Sequence, residues 1–166
     1  MRNRKALIAI VAVAMLVLTP ASLLAQEEEE SIILGVGTDV VTWNPALHSD
    51  QGSYNGFRWL FRSLVQLDPF TGEWVGNVAK DWEISDDGLT YTLYMYDDIP
   101  WSDGEIIDAN DVKFTYDATM SDLVETVRKG DFDTVESVDV IDDFTVQFTF
   151  TEPSCNAFEA IGFNIL

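Results

Sequence analysis

The chain has 166 residues with 29 acidic against nine basic side chains, a formal net charge of −20, and a surface of that sign repels nucleic acid. One Cys and one His exclude an internal disulfide and leave too few ligands for a transition-metal cage built from this chain alone. The length holds one domain with its own core, or part of something larger.

Arg2, Arg4 and Lys5 precede an apolar run from Ala6 to Leu18, followed by Thr19-Pro20 and a small-residue stretch ending at Ala25. This is the three-part layout of a secretory signal peptide over residues 1–25, cut after Ala25. Ala6–Ala25 is also about 20 residues, long enough for a membrane anchor, but Thr19-Pro20 interrupts the run and cleavage is the expectation adopted. The three cations lie in this segment, so residues 26–166 stand at −23, three below the whole-chain figure. Cys155 is far from the cut and offers no lipid attachment there. Residues 26–31, opening with Gln26 and four glutamates, read as a solvated acidic linker.

Ile32–Val36 is a short apolar, β-branched run and predicts a first, buried strand. The stretch from Thr38 to Gly52 is broken by Asn44-Pro45 and Asp50-Gln51-Gly52 and predicts a long loop. A helix is expected with Ser53 as its cap, because Tyr54, Phe57, Leu60, Phe61 and Leu64 recur at helical spacing as one core-packing stripe. From Leu64 the period changes to two. Leu64–Val75 predicts a hairpin turning through Asp68-Pro69-Phe70-Thr71-Gly72. Asp81–Met95 predicts a second, with Asp87-Gly88 at its turn and Leu89, Tyr91, Leu93 and Met95 on one face. Val135–Phe150 predicts a third, turning at Asp142-Asp143 with Phe144, Val146, Phe148 and Phe150 aligned. Three such hairpins describe a mainly antiparallel layer.

Between the second and third hairpins lies Pro100–Ala118, with five carboxylates and a Trp in nineteen residues. Asp103-Gly104 predicts a turn. Asp108 is a fitting helix cap with Asp111 at its N3 position, which places Ala109, Val112, Tyr116 and Met120 on one face. Val112, Phe114 and Tyr116 also alternate, so a strand is the competing reading. Ser121–Asp133 follows no period and predicts a loop with room for a short helix. The chain closes on an apolar run in which Phe163, Ile165 and Leu166 have no evident partner, which predicts a truncated protein.

Chemistry-bearing motifs are sparse. There is no phosphate loop and no nucleophile elbow, and the Asp81–Gly88 carboxylates fit a hairpin turn better than a calcium loop. Among so many acids a facing pair suited to glycoside hydrolysis is allowed, but nothing singles one out. His48 reads as a lone exposed histidine in a polar loop.

Taken in order, Leu67–Trp82, Ser85–Thr92 with its Ser-Asp-Asp-Gly-Leu-Thr-Tyr-Thr run, Trp101–Thr115 with Trp-x-Asp-Gly and Ala-x-Asp-Val-x-Phe-Thr, and Val135–Pro153 closing on Glu-Pro resemble the N-terminal region of the peptide/nickel-type extracellular solute-binding proteins, the receptors of ABC importers. Gly76-Asn77-Val78-Ala79 and Ile107-Asp108 depart from the usual residues at their positions. The resemblance implies a mixed α/β (α+β) fold of the type II periplasmic-binding-protein kind. Residues 32–63 would begin ligand-binding lobe I and residues 64–166 a β-rich extra lobe, with the second ligand-binding lobe missing.

It further implies that Pro100–Ala118 is scaffold, with Trp101 as a buried anchor. Two lobes would close like a hinge around the ligand, and the cleft-facing loop of the first would be His48, Ser49, Asp50, Gln51 and Gly52. The function implied is capture of an oligopeptide or related small solute outside the membrane for ABC permease subunits, by a monomer without cofactor, metal or catalysis. An exported carboxylate-dependent hydrolase is the alternative.

Overall fold

The computed structural model describes Ile33, Gly35 and residues 37–166. The signal peptide, the acidic linker and most of the strand expected at Ile32–Val36 lie outside these residues.

Helix α1 (Gln51–Phe57) starts earlier and stops earlier than its apolar spacing suggests. Its cap is Asp50, not Ser53: the Asp50 carboxylate accepts from the Ser53 N–H at 2.8 Å. The Ser53 hydroxyl is committed elsewhere, accepting from the N–H groups of Val41 and Thr42 at 3.0 Å each, which fastens the preceding loop to the helix. After Phe57 the backbone tightens, and both Leu60 and Phe61 donate to the Phe57 carbonyl. The expected stripe is thereby broken, with Phe57 and Leu64 fully buried while Leu60 is 65% exposed.

Strands β1 (Val65–Leu67) and β2 (Trp74–Gly76) form the first hairpin, as a separate two-stranded sheet. Asp68 accepts from the N–H groups of Phe70 and Thr71 to shape its turn. Gly72 takes a φ of 71°, the left-handed conformation that only glycine adopts without strain. The other two hairpins, β3 (Ala79–Ile84) with β4 (Thr90–Met95) and β5 (Val135–Asp142) with β6 (Thr145–Phe150), make one antiparallel sheet in the order β3-β4-β6-β5. The single three-hairpin layer is therefore corrected to a four-stranded sheet plus a hairpin. The third turn lies one residue beyond the expected pair, at Asp143-Phe144, where Asp142 accepts from the Phe144 N–H at 2.9 Å.

Period-two burial holds along the two central strands, β4 and β6. Tyr91, Leu93 and Met95 of β4 and Val146, Phe148 and Phe150 of β6 enter the core, while Thr92 and Gln147 hydrogen-bond on the opposite face at 3.1 Å. Registry sets Leu93 beside Val146 and Tyr91 beside Phe148, cross-strand pairs of the kind that stabilise sheets.

Over the core face lies α2 (Ala109–Met120), which packs against β5 and β6. The helix prevails over the competing strand because its start is chemically complete. Asp108 accepts from the N–H groups of Asn110 and Asp111, and Asp111 returns a carboxylate to the Asp108 N–H, closing a capping box. The same Asp111 oxygen accepts from the Trp101 indole at 3.0 Å, so Trp101 is a half-buried brace of the cap rather than a fully buried anchor.

The aperiodic segment contains a 3-10 helix, Val127–Phe132. Short helix α3 (Ala157–Ile161) brings Phe158 among Trp74, Trp82 and Tyr91, with ring centroids 5.3–5.8 Å apart. The final residues do have partners: Ile165 is fully buried, and Phe163 packs on Phe132 and Phe148. Ile165 donates to the Arg62 carbonyl, and Leu166 donates to the Thr115 hydroxyl at 2.8 Å. Those apolar side chains close the core of this segment, so the expectation that they lack a partner is overturned.

Candidate functional site

A cavity of about 150 Å³ opens where the loop before α1, the buried face of α2, the 3-10 helix and the C-terminal residues meet. The loop is bound to the 3-10 helix by one long-range bond, since the Thr126 hydroxyl donates to the Ala46 carbonyl at 2.6 Å. Thr126 also caps the 3-10 helix by accepting from the Arg128 N–H at 3.1 Å. One side chain thus sets both the loop position and the helix start.

His48 lines this cavity, but it is buried, only 8% exposed, and not the solvated loop histidine its polar neighbours suggest. Its ring sits 4.6 Å from Phe57, edge to face, and 6.1 Å from Tyr54. Nδ1 lies 2.6 Å from the Pro45 carbonyl, and because a carbonyl only accepts, Nδ1 carries the proton of that bond. Burial comes from the Phe57 face of α1, a contact that no local pattern announces.

The other expected site residues separate by role. Ser49 and Gln51 are exposed, and Gln51 donates to the Asn55 side chain at 3.0 Å along the helix. Asp50 is committed to the cap. Hydrogen bonds from Ser53, with a smaller contribution from Gly52, hold its carboxyl below the ordinary value near 3.8. Gly52 is buried against the Asp39 carbonyl and the Thr38 hydroxyl, where a β-carbon would collide. Of the five, only His48 borders the cavity; Ser49 and Gln51 form the exposed tip beside it, and Asp50 and Gly52 build the turn that presents them.

The opposite wall was not legible in advance. Arg128 and Asp131 of the 3-10 helix, with Glu159 of α3, provide charged groups at the rim, and Arg128 Nη1 pairs with Asp131 at 3.2 Å. Phe132 and Phe163 supply apolar lining. Segment 121–133 is charged and aperiodic, so nothing in its pattern distinguishes Arg128 from a solvated cation. Among the described residues, no cluster of three or more His, Cys, Asp or Glu side chains is placed to hold a metal ion. The arrangement is a pocket with charged and aromatic lining, of a size to take a small group.

Comparison with known proteins agrees with this class. The family model described as bacterial extracellular solute-binding proteins, family 5 (middle region), matches residues 73–164. The chain belongs to that family.

A Brucella ovis protein whose name assigns it to ABC transporter peptide binding is 36% identical over 113 residues, covering 63% of this chain and 21% of its own length. The periplasmic binding protein DppA of Helicobacter pylori, solved with the peptide STSA, superposes with a TM-score of 0.69 at 27% identity, covering 78% of this chain and 29% of that one. NikZ of Campylobacter jejuni, solved with Ni(L-His), gives 0.68 at 27% identity, covering 78% and 26%. The chain therefore spans about a fifth of the length of the curated relative and under a third of the solved ones.

Proposed function

We propose that this chain supplies the first ligand-facing elements and the β-rich lobe of an exported receptor that captures an oligopeptide or related small solute and delivers it to the permease subunits of an ABC importer, with no chemistry on the solute. The family match over residues 73–164 carries the reading. In this account residues 1–25 direct export and are removed, and residues 26–31 are a linker. Residues 32–63 begin lobe I, residues 64–166 form the extra lobe, and a second lobe supplies the facing wall.

The exposed tip at Ser49 and Gln51, held by the Asp50 cap and the close packing of Gly52, and His48 at the cavity edge are the ligand-facing residues from this side. Their support is positional, because the loop ends beside the cavity with backbone and side-chain groups open to an extended ligand. Peptide is favoured as the ligand because the relative that matches over 113 residues and one of the two solved neighbours described are named or titled for peptide binding.

The test is to purify the complete receptor containing this segment from its natural secretion route and to analyse the small molecules released on denaturation. An intact peptide in stoichiometric amount is the expected result. Recovery of cleaved products, or turnover of added peptides or glycosides, would overturn the reading in favour of an enzyme.

A further inference from the structure

The His48 ring is fixed by its neighbours and keeps one nitrogen free. Nδ1 donates to the Pro45 carbonyl at 2.6 Å, and the Phe57 ring at 4.6 Å and the Tyr54 ring at 6.1 Å set the imidazole plane. With the proton on Nδ1, the Nε2 of a neutral imidazole is a bare lone pair that only accepts. The bond to Pro45 is the only one the ring makes among the described residues, so Nε2 is unpartnered there. It is not sealed, because Arg128 Nε is the one side-chain nitrogen or oxygen among the described residues that is both unpartnered and closed to solvent. The open space that His48 borders is the cavity beside the 3-10 helix. An acceptor on a residue only 8% exposed, facing such a space, calls for a donor.

The lining does not supply that donor. Thr115 spends its hydroxyl proton on the Asp111 carbonyl and Thr119 on the Thr115 carbonyl, each at 2.8 Å, and Arg128 Nη1 is turned to Asp131 at 3.2 Å. Arg128 faces two lining carboxylates, Asp131 and Glu159, which leaves one negative charge in excess. A guest group that presents lone pairs to Nε2, such as a carbonyl or carboxylate, meets repulsion from the ring nitrogen and from that charge. A guest N–H meets attraction from both.

We propose that His48 is a specificity-determining residue of this lobe, its Nε2 accepting one N–H of the solute, from an amide or from an ammonium group. The inference rests on the receptor reading and names what one residue of that site recognises. Its first test is the tautomer. The chain holds one His, so imidazole nitrogen spectra of the chain in mildly alkaline buffer carry a single pair of signals. A protonated Nδ1 and a bare Nε2 are expected, and the reverse tautomer would overturn the proposal.

The second test uses the complete receptor with its histidines nitrogen-labelled, the His48 signals being assigned by their absence from His48→Gln. Saturation with a mixed peptide pool should move Nε2 upfield, as acceptance of a hydrogen bond does, and leave Nδ1 in place. Repeating this with the pool acetylated at its amines separates the two sources: a shift that persists assigns the donor to an amide, and one that vanishes assigns it to an ammonium group. By calorimetry, His48→Phe, which keeps the aromatic contacts without an acceptor, should weaken binding of the pool about tenfold or more, as leaving a buried donor unpaired does. His48→Gln, whose amide oxygen reaches the place of Nε2, should recover most of the loss. A pool that binds while Nε2 stays still, or that binds His48→Phe as tightly as the native receptor, would sink the proposal and leave the receptor reading standing. A native receptor that does not bind the pool would bring down both.

Discussion

Replacing Trp101 by alanine should destabilise the segment by about 3 kcal/mol, and replacing it by phenylalanine by about 1 kcal/mol. Removing a fully buried Trp side chain costs about 3–5 kcal/mol, and Trp101 is half-buried, so packing accounts for about 2 kcal/mol. The indole N–H bond to Asp111 at 3.0 Å has a charged acceptor, which puts it near 1.5 kcal/mol when buried and at about 1 kcal/mol where water can replace the donor.

Phenylalanine keeps most of the packing and loses only that bond. For a segment of this size, 1 kcal/mol corresponds to about 3–5 °C in melting temperature. Thermal unfolding followed by circular dichroism should therefore fall by about 10 °C for Trp101→Ala and about 4 °C for Trp101→Phe.

Ligand affinity of the complete receptor should hold in both variants, because Trp101 lines a separate hollow with Trp43, Phe61 and Ile107, away from His48. An alanine variant that melts like the native chain, or that loses affinity with its melting temperature intact, would refute the scaffold role.

Three further outcomes follow from the same structure. Thr115→Val removes the acceptor of the Leu166 N–H and should cost about 1–2 kcal/mol, with faster hydrogen exchange at Leu166, whereas Thr115→Ser should restore protection; unchanged exchange in the valine variant would contradict the docking of the C-terminal residues. Asp50, Asp68 and Asp87 each have a carboxyl held below the ordinary 3.8, chiefly by hydrogen bonds from Ser53, from Phe70 and Thr71, and from Ser85 and Leu89 respectively. Their folded-state values are depressed, so their stabilisation is complete above the unfolded value and is lost as pH falls below it through the folded values; urea midpoints measured from pH 6 downward should be level until about pH 4 and then fall, and a midpoint that rises in acid would contradict the capping geometry. N-terminal sequencing of the exported protein should begin at Gln26, and a start at Met1 in the membrane fraction would refute cleavage.

The hairpins were legible because each carries its own information. Alternation in Leu89–Met95 and Val146–Phe150, with Gly72 and Gly88 at turns requiring positive φ, needs no distant partner to be read. The capping box at Asp108 and Asp111 was likewise local. Where the outcome depended on contacts far along the chain, pattern misled.

The apolar spacing from Tyr54 to Leu64 continues past the end of α1, yet the helix stops once Phe57 is buried and its carbonyl takes two N–H groups from the following turn. His48 is buried by Phe57 and by a loop that Thr126 pins from 80 positions away. The partnering of Phe163–Leu166 by Arg62, Thr115 and Phe148 is of the same kind. Two strongly periodic hairpins joining into one sheet while the third stands apart is a matter of tertiary pairing that alternation alone does not encode.

The central claim is that this chain provides one wall of a two-walled binding site. Calorimetry with a mixed peptide pool, run on the chain alone and on the complete receptor, tests it most directly. On the chain alone, the few open hydrogen bonds near Ser49 and Gln51 exchange with water at about 0.5–1.5 kcal/mol each and do not offset an association cost of at least about 4 kcal/mol. The account predicts micromolar or tighter binding by the complete receptor and no measurable heat from the chain. Micromolar binding by the chain itself, or none by the complete receptor, would contradict it.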